Sequence, residues 1–387
     1  MIDKNHKQFG RKMDSAVVHG YQGCDPLTGA ISFPIYQTST YKNPGLNSNI
    51  KFSYSRCDNP TRAELEDTVA LLEEGLAGFA FASGLAAVTA TFSLLKSGDH
   101  VIVSDDIYGG SYRQIEELWK HFGVEFTAVD VGDIDAIKAA VKPNTKMIYL
   151  ESPTNPMMKV ADIGAISLIS KDCGAYLVVD NTFLTPYFQK PIPLGADIVI
   201  HSGTKFLAGH HDTTAGFVVV NDEALAARMG LLLRTEGSGL APFDSWLLLR
   251  GIKTLALRMK KHEENAVAVA NFLKSHPAVE KVYFVGLEDH PSYEVTKKQT
   301  TGFGGMISFT IKDVSKVEQV LCGGDMIMFA ESLGGTASLI TYPQTQTHAS
   351  IPAEIRNKIG ITDRLIRLSV GIEDAEDIIA DLKKMLA

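Results

Sequence analysis

Cysteine is scarce in this chain. Four stand far apart in 387 residues, at Cys24, Cys57, Cys173 and Cys322, and no two form a C-x-x-C pair. That spacing gives neither a disulfide framework nor a zinc-ligand pattern. Long apolar runs are also missing: hydrophobic stretches are short and broken by charges, so none is expected to span a bilayer. The first residues, MIDKNHKQFGRK, are polar and lack the apolar core of a secretion signal. No basic block occurs. Lys and Arg number 37 against 45 Asp and Glu, a net charge of −8, so neither a nucleic-acid nor a membrane partner is expected. The expected setting is a reducing, cytoplasmic one.

Hydrophobic residues make up 45% and charged residues 21%, the balance of a globular chain with a large core. At roughly 150 residues per domain, the length suggests two to three domains. Residues 1–60 carry Pro26, Pro34, Pro44 and Pro60 and read as an extended arm. A helix is expected from TRAELEDTVALLEEG, with apolar positions at helical spacing, an acidic first turn and a closing glycine. Strands and helices then alternate. GFAFAS, HVIVSDD, VEFTAVD, KMIYLES, YLVVDNT, ADIVIHS and AGFVVV read as strands; LAAVTATFSLLKSG, SYRQIEELWKHFG, IDAIKAAV and IGAISLISKDCG read as helices. Near-continuous apolar strands alternating with helices predict an α/β fold with a mostly parallel sheet covered on both faces. The resulting division is an arm at 1–60, a large α/β domain at 61–250 and a smaller C-terminal α+β domain at 251–387. Residues 240–275 are expected to form a long helical linker.

In such a sheet, ligands bind outside the carboxyl ends of the strands. Polar residues follow the apolar runs at those places: Ser83-Gly84, Asp105-Asp106 with Tyr108, Glu151 to Asn155, Asp180-Asn181, and Ser202 to Lys205. The Ser-Gly-Leu-Ala turn could offer N–H groups at a helix start to an anion, or be an ordinary tight turn. Lys205 could snorkel from its strand end, or be a desolvated amine that attacks a carbonyl. Asp180 could cap a turn, or hold a pyridinium N–H. Taken together, an anion-binding turn, an aspartate and a lysine match what pyridoxal phosphate requires. His210, His211 and Asp212 are not expected to bind a metal, because adjacent strand residues point to opposite faces.

The runs YSRCDNPTR, FASGLAAV, YGGSY, ESPTNP, VVDNTF, ADIVIHSGTKFLAGHHD, AESLGG and RLSVGIED occur in this order from Val17 onward. Their sequence resembles the Cys/Met-metabolism family of pyridoxal-phosphate enzymes. The resemblance implies the type I, aspartate aminotransferase-like fold of PLP-dependent transferases, with a seven-stranded sheet in the large domain. It implies that Lys205 carries the cofactor, that Asp180 holds the ring nitrogen and that Tyr108 stacks on the ring. Gly84 and Leu85 amides with Ser202 and Thr204 hydroxyls would bind the phosphate. Tyr54 and Arg56 would complete that site from a neighbouring subunit of a homotetramer, a dimer of dimers whose arms cross. Arg367 would clamp the substrate carboxylate, helped by Asn155 and Ser332, with Glu331 and Thr347 also on the substrate side. Lys205, Tyr108 and Tyr54 would handle protons.

The implied activity is carbon–sulfur bond cleavage in a sulfur amino acid. The resemblance favours β-elimination of L-cystathionine to homocysteine, pyruvate and ammonia. The alternatives are γ-elimination to cysteine and 2-oxobutyrate, γ-replacement synthesis of cystathionine, and, lower, γ-elimination of methionine, because Gly110 stands where that activity usually has a cysteine. A non-catalytic α/β binding module is remote, since both Lys205 and Asp180 are present. Two departures from the family pattern lie near the expected pocket. Ala337 replaces a glutamate in G-x-E-S-L, and Pro343-Gln344-Thr345-Gln346-Thr347-His348 replaces P-A-x-M-T-H.

Overall fold

The helix at Pro60–Glu73 starts where local chemistry places it. The Asn59 side chain accepts from the N–H groups of Thr61 and Arg62, and Pro60 occupies the first turn, where its missing N–H costs nothing. It ends at Glu73, two residues before the expected Gly75, with Glu74 in the left-handed region at φ 60°. The computed structural model describes residues 1–3, 6 and 10–387. The described residues form the strands β1 (Ala77–Phe81), β2 (His100–Ser104), β3 (Glu125–Val129), β4 (Thr145–Glu151), β5 (Tyr176–Asp180), β6 (Ile198–Ser202), β7 (Gly216–Val220), β8 (Val279–Tyr283), β9 (Met306–Ile311), β10 (Met328–Phe329), β11 (Leu339–Thr341) and β12 (Leu365–Ser369). Seven strands form one sheet and five the other. By internal contacts the chain divides into two units, Met1–Leu94 with Asp197–Ala256, and Leu95–Ala196 with Leu257–Ala387.

In the first unit β7 lies between β1 and β6 and runs antiparallel to both. Gly216 is thereby opposite Phe81 on one side and Ser202 on the other. The antiparallel step follows from the connection: residues 203–215 contain turns and no helix that could carry a parallel crossover. Phe217 to Val220 and Ile198 to Ile200 are fully buried. Alternation along β6 turns His201 to the opposite face from Ser202. There its Nε2 lies 2.6 Å from Glu73 Oε1, both side chains being completely buried.

In the second unit β5, β4, β2 and β3 are neighbours in that order and run parallel. Their apolar residues, from Val101 to Val103, Met147 to Leu150 and Leu177 to Val179, are buried throughout, which accounts for the continuous rather than alternating pattern. The smaller sheet has the order β10-β11-β12-β9-β8. One core of this unit joins Ala266, Val269, Ala270 and Leu273 to Phe309, Ile366, Leu368, Ile378 and Leu382.

Several elements differ from the sequence expectations. The expected 240–275 helix is two, Pro242–Ile252 and Leu255–Ser275, with Lys253 closing the first and Thr254 between them. The SYRQIEELWKHFG helix begins as Gly109–Gln114 and loosens to a π-helical turn at Ile115–Trp119. The LAAVTATFSLLKSG helix stops at Phe92. The arm contains a short helix, Met13–His19. The helices Thr185–Phe188, Glu223–Glu236, Tyr293–Gln299 and Ala353–Lys358 and strands β10 to β12 were not expected. Among the described residues no helix is long and apolar enough to cross a membrane.

Candidate active site

The first unit supplies a crowded turn made of backbone. Ser83 caps the helix Gly84–Phe92 by accepting from Ala86 N–H. Three small residues meet there. A Cβ built on Gly84 would stand 2.9 Å from Ser202 Cβ and 3.0 Å from Ser202 Oγ; one on Gly216 would stand 2.1 Å from Ser83 O. Gly203 is equally confined, since a Cβ there would lie 2.5 Å from the Phe217 ring. After β6 the chain turns sharply. Lys205 N–H donates to Ser202 O at 3.2 Å, while Thr204 Oγ1 accepts from Ala215 N–H at 3.0 Å. Gly84, Leu85, Ser202, Thr204 and Lys205 therefore sit on one helix start and the turn beside it. Lys205 and Thr204 are partly exposed. Farther along, Arg56 lies over the Tyr54 ring at 5.5 Å and donates to Arg234 O at 2.6 Å; Tyr54 is exposed.

The second unit collects the other expected residues around Arg367. This arginine lies on β12, opposite Thr341 of β11 and Ser308 of β9, and only 1% of it is exposed. It donates to Asn155 Oδ1 at 2.9 Å, to Ser332 O at 2.9 Å and to Thr341 Oγ1 at 3.2 Å. All three acceptors are neutral. Its buried Nε has no hydrogen-bond partner among the described residues. Burial pulls its pKa down to about 10, while Tyr108 and Glu331 act in the opposite direction. Ser332 presents its carbonyl from a left-handed backbone, φ 92°.

Tyr108 precedes the helix Gly109–Gln114 and donates its N–H to Glu151 Oε1 at 2.8 Å. Burial raises its phenol above the usual range, Arg113 and Arg367 oppose this, and Glu331 adds to it. Asp180 ends β5 directly opposite Glu151 at the end of β4, and its Oδ1 accepts from Thr182 N–H at 2.9 Å. Thr347 reaches this region by backbone packing: a Cβ on Gly109 would lie 2.0 Å from Thr347 O. Thr347 Oγ1 is 2.8 Å from Nδ1 of the buried His348. Burial first, then Arg367, lowers the His348 pKa to about 3, so the ring is neutral.

Sequence reasoning gave no role to Glu151, Thr341 or His348. Glu151 was visible as a polar residue after an apolar strand, but its partner Tyr108 comes from a loop 43 positions away. The departures at 343–348 have local uses. Gln346 Oε1 accepts from Tyr342 N–H, Gln344 Oε1 accepts from Tyr342 Oη, both at 2.8 Å, and Ser338 of the Gly335–Leu339 segment is tied to Glu373.

The family model for Cys/Met metabolism PLP-dependent enzymes matches residues 14–387. The chain belongs to this family. Its cofactor is pyridoxal phosphate, and the expected PLP-dependent transferase fold is the one it adopts. Cystathionine β-lyase of Lactococcus lactis subsp. cremoris (strain MG1363) is 52% identical over 370 residues, covering 96% of this chain and 97% of its own. Cystathionine γ-lyase of Bacillus subtilis (strain 168) is 49% identical over 375 residues, covering 97% and 99%. The crystal structure of cystathionine γ-lyase from Lactobacillus plantarum complexed with L-serine matches with a TM-score of 0.95 and 48% identity, covering 97% of this chain and 98% of that one.

The residues present fit this family's cofactor. Gly84 lets the helix start approach Ser202 closely, since a Cβ there would stand 3.0 Å from Ser202 Oγ, and a helix start beside a hydroxyl is a donor set that suits a phosphate. Arg367, buried with neutral acceptors and one open N–H, suits a carboxylate that arrives with the substrate.

Proposed function

We propose that this family member is a carbon–sulfur lyase that cleaves L-cystathionine by β-elimination to homocysteine, pyruvate and ammonia, in cytoplasmic methionine biosynthesis. The observation that carries the amino-acid part is the Arg367 guanidinium, fully buried among neutral acceptors with an unpartnered Nε. A cation so placed is costly until an anion joins it. The β-elimination part draws on the 52%-identical β-lyase relative.

Each residue then has a task. Arg367 takes the substrate α-carboxylate through its fork, with Asn155 and Ser332 holding the fork in plane. Gly84 and Leu85 amides, Ser202 and Thr204 would hold the phosphate, Asp180 the ring nitrogen, and Tyr108 the ring. Pyridoxal phosphate, when bound at Lys205, supplies the electron sink for bond breaking at Cα. Lys205 Nζ removes the Cα proton. The Cβ–S bond breaks, and the departing sulfur is protonated by Tyr108 or Tyr54. Water then releases pyruvate and ammonia, so cystathionine plus water balances the three products. Glu331, whose charge acts on Tyr108 and Arg367, would receive the distal ammonium of the substrate, helped by Thr347.

A division into an arm (1–60), a cofactor domain (61–250) and a C-terminal domain (251–387) belongs to this reading, as does a homotetramer in which Tyr54 and Arg56 serve a neighbour's site. Exposed apolar residues in the arm, Leu27, Ile31 and Leu46, support an intersubunit role. The second reading is γ-elimination, favoured by the γ-lyase relatives at 49% and 48% identity. Product analysis with L-cystathionine separates the two. Pyruvate with homocysteine is expected; 2-oxobutyrate with cysteine would replace the first reading by the second, and no cleavage would remove both.

A further inference from the structure

Glu151 sits where three parts of the second unit meet, yet it has no assigned task. It ends β4 beside Asp180 in register, and it is 5% exposed. Its Oε1 accepts the Tyr108 N–H at 2.8 Å, and the backbone N–H of Asn155, four residues on, acts on the same carboxyl to lower its pKa. Its own N–H donates to Ser104 Oγ at 3.1 Å, which fixes the strand end. Asn155 in turn holds Arg367 at 2.9 Å. One buried carboxyl thus ties the loop of Tyr108 to the loop of Asn155, and through Asn155 to Arg367.

We propose that Glu151 is a positioning residue that sets the height of Tyr108 and the place of the Asn155–Arg367 pair together, so that cofactor and substrate are aligned by the same side chain. The inference rests on the lyase reading for the roles of Tyr108 and Arg367. Burial first, then Asp180, with Asp106 adding, raises the Glu151 pKa well above the usual range against the two backbone donors. Asp106, the other buried acid nearby, is held differently: it accepts from Thr154 Oγ1, and burial raises it to about 7 against Lys159.

The test compares Glu151→Leu, which removes the acceptor, with Glu151→Gln, which keeps a neutral one, each as the pyridoxal-phosphate-loaded enzyme. Two quantities are read: the visible circular dichroism of the bound cofactor, which needs no substrate, and KM against kcat for cystathionine. Glu151→Leu is expected to change the cofactor dichroism and raise KM about tenfold, as loss of buried hydrogen bonds implies, with a smaller fall in kcat. Glu151→Gln is expected to lie closer to wild type on both. Should Glu151→Leu not fold, Glu151→Asp, with its carboxyl withdrawn by one methylene, carries the same expectation. The inference is overturned if the folded Leu or Asp variant keeps wild-type dichroism and KM. It is equally overturned if Gln is as damaged as Leu. If the wild-type protein itself takes up no pyridoxal phosphate or cleaves no cystathionine, the lyase reading fails instead, and the two failures are distinguishable.

Discussion

Arg367 shows what one residue decides. Its charge is buried beside Asn155, Ser332 and Thr341, none of which can neutralise it, so its hydrogen bonds hold a fork in place without satisfying its charge. His348, neutral beside it, adds no repulsion. Lysine keeps the charge but loses the planar fork. For Arg367→Lys we expect KM for cystathionine to rise about 100-fold, within the range of a lost charge-assisted pair, and kcat to fall less. Steady-state kinetics would decide it: a KM within twofold of wild type would show that the fork does not hold the substrate.

Single elements carry the next level. At the end of the short helix Met13–His19, the chain is fastened to the helix Pro60–Glu73. Tyr21 N–H donates to Thr68 Oγ1 and Gln22 N–H to Glu64 Oε1, both at 3.0 Å. Glu64 is buried, its Oε2 has no hydrogen-bond partner among the described residues, and burial raises its pKa to about 7, opposed mainly by the Gln22 N–H. The folded pKa therefore exceeds the unfolded one. The stabilisation of the protonated acid is fully present below the unfolded value of 4.5 and is lost as pH rises to about 7. A shift of that size corresponds to about 3 kcal/mol. Urea unfolding at pH 5 and pH 8 should show wild type losing more stability than Glu64→Gln over that interval. Parallel losses in the two proteins would mean that Glu64 is not the group responsible.

At the scale of the whole molecule, the proposed reading separates the residues of one site between subunits. Lys205→Ala and Arg56→Ala should each be nearly inactive alone. Unfolded together and refolded, they should recover about a quarter of wild-type activity: half the dimers are mixed, and one of their two sites has both residues intact. No recovery in the refolded mixture would place Arg56 and Lys205 in the same subunit's site.

Much of this protein is determined by local sequence. Continuous apolar runs specify buried parallel strands such as β4 and β5, and Asn59-Pro60 specifies a helix start, because these signals act within a few residues. The motif around Lys205 marks the cofactor for the same reason. Only the tertiary structure decided the rest. Strands β10 and β11 have two and three residues, too few to show a period; β11 exists because β12 pairs beside it, and β10 because β11 does. The break between Ile252 and Leu255 interrupts an otherwise helical pattern. Glu151 gains its task from Tyr108 and Asn155, and Arg367 its buried surroundings from Asn155, Ser332 and Thr341. These contacts join residues up to 212 positions apart, and no local period or cap can announce them.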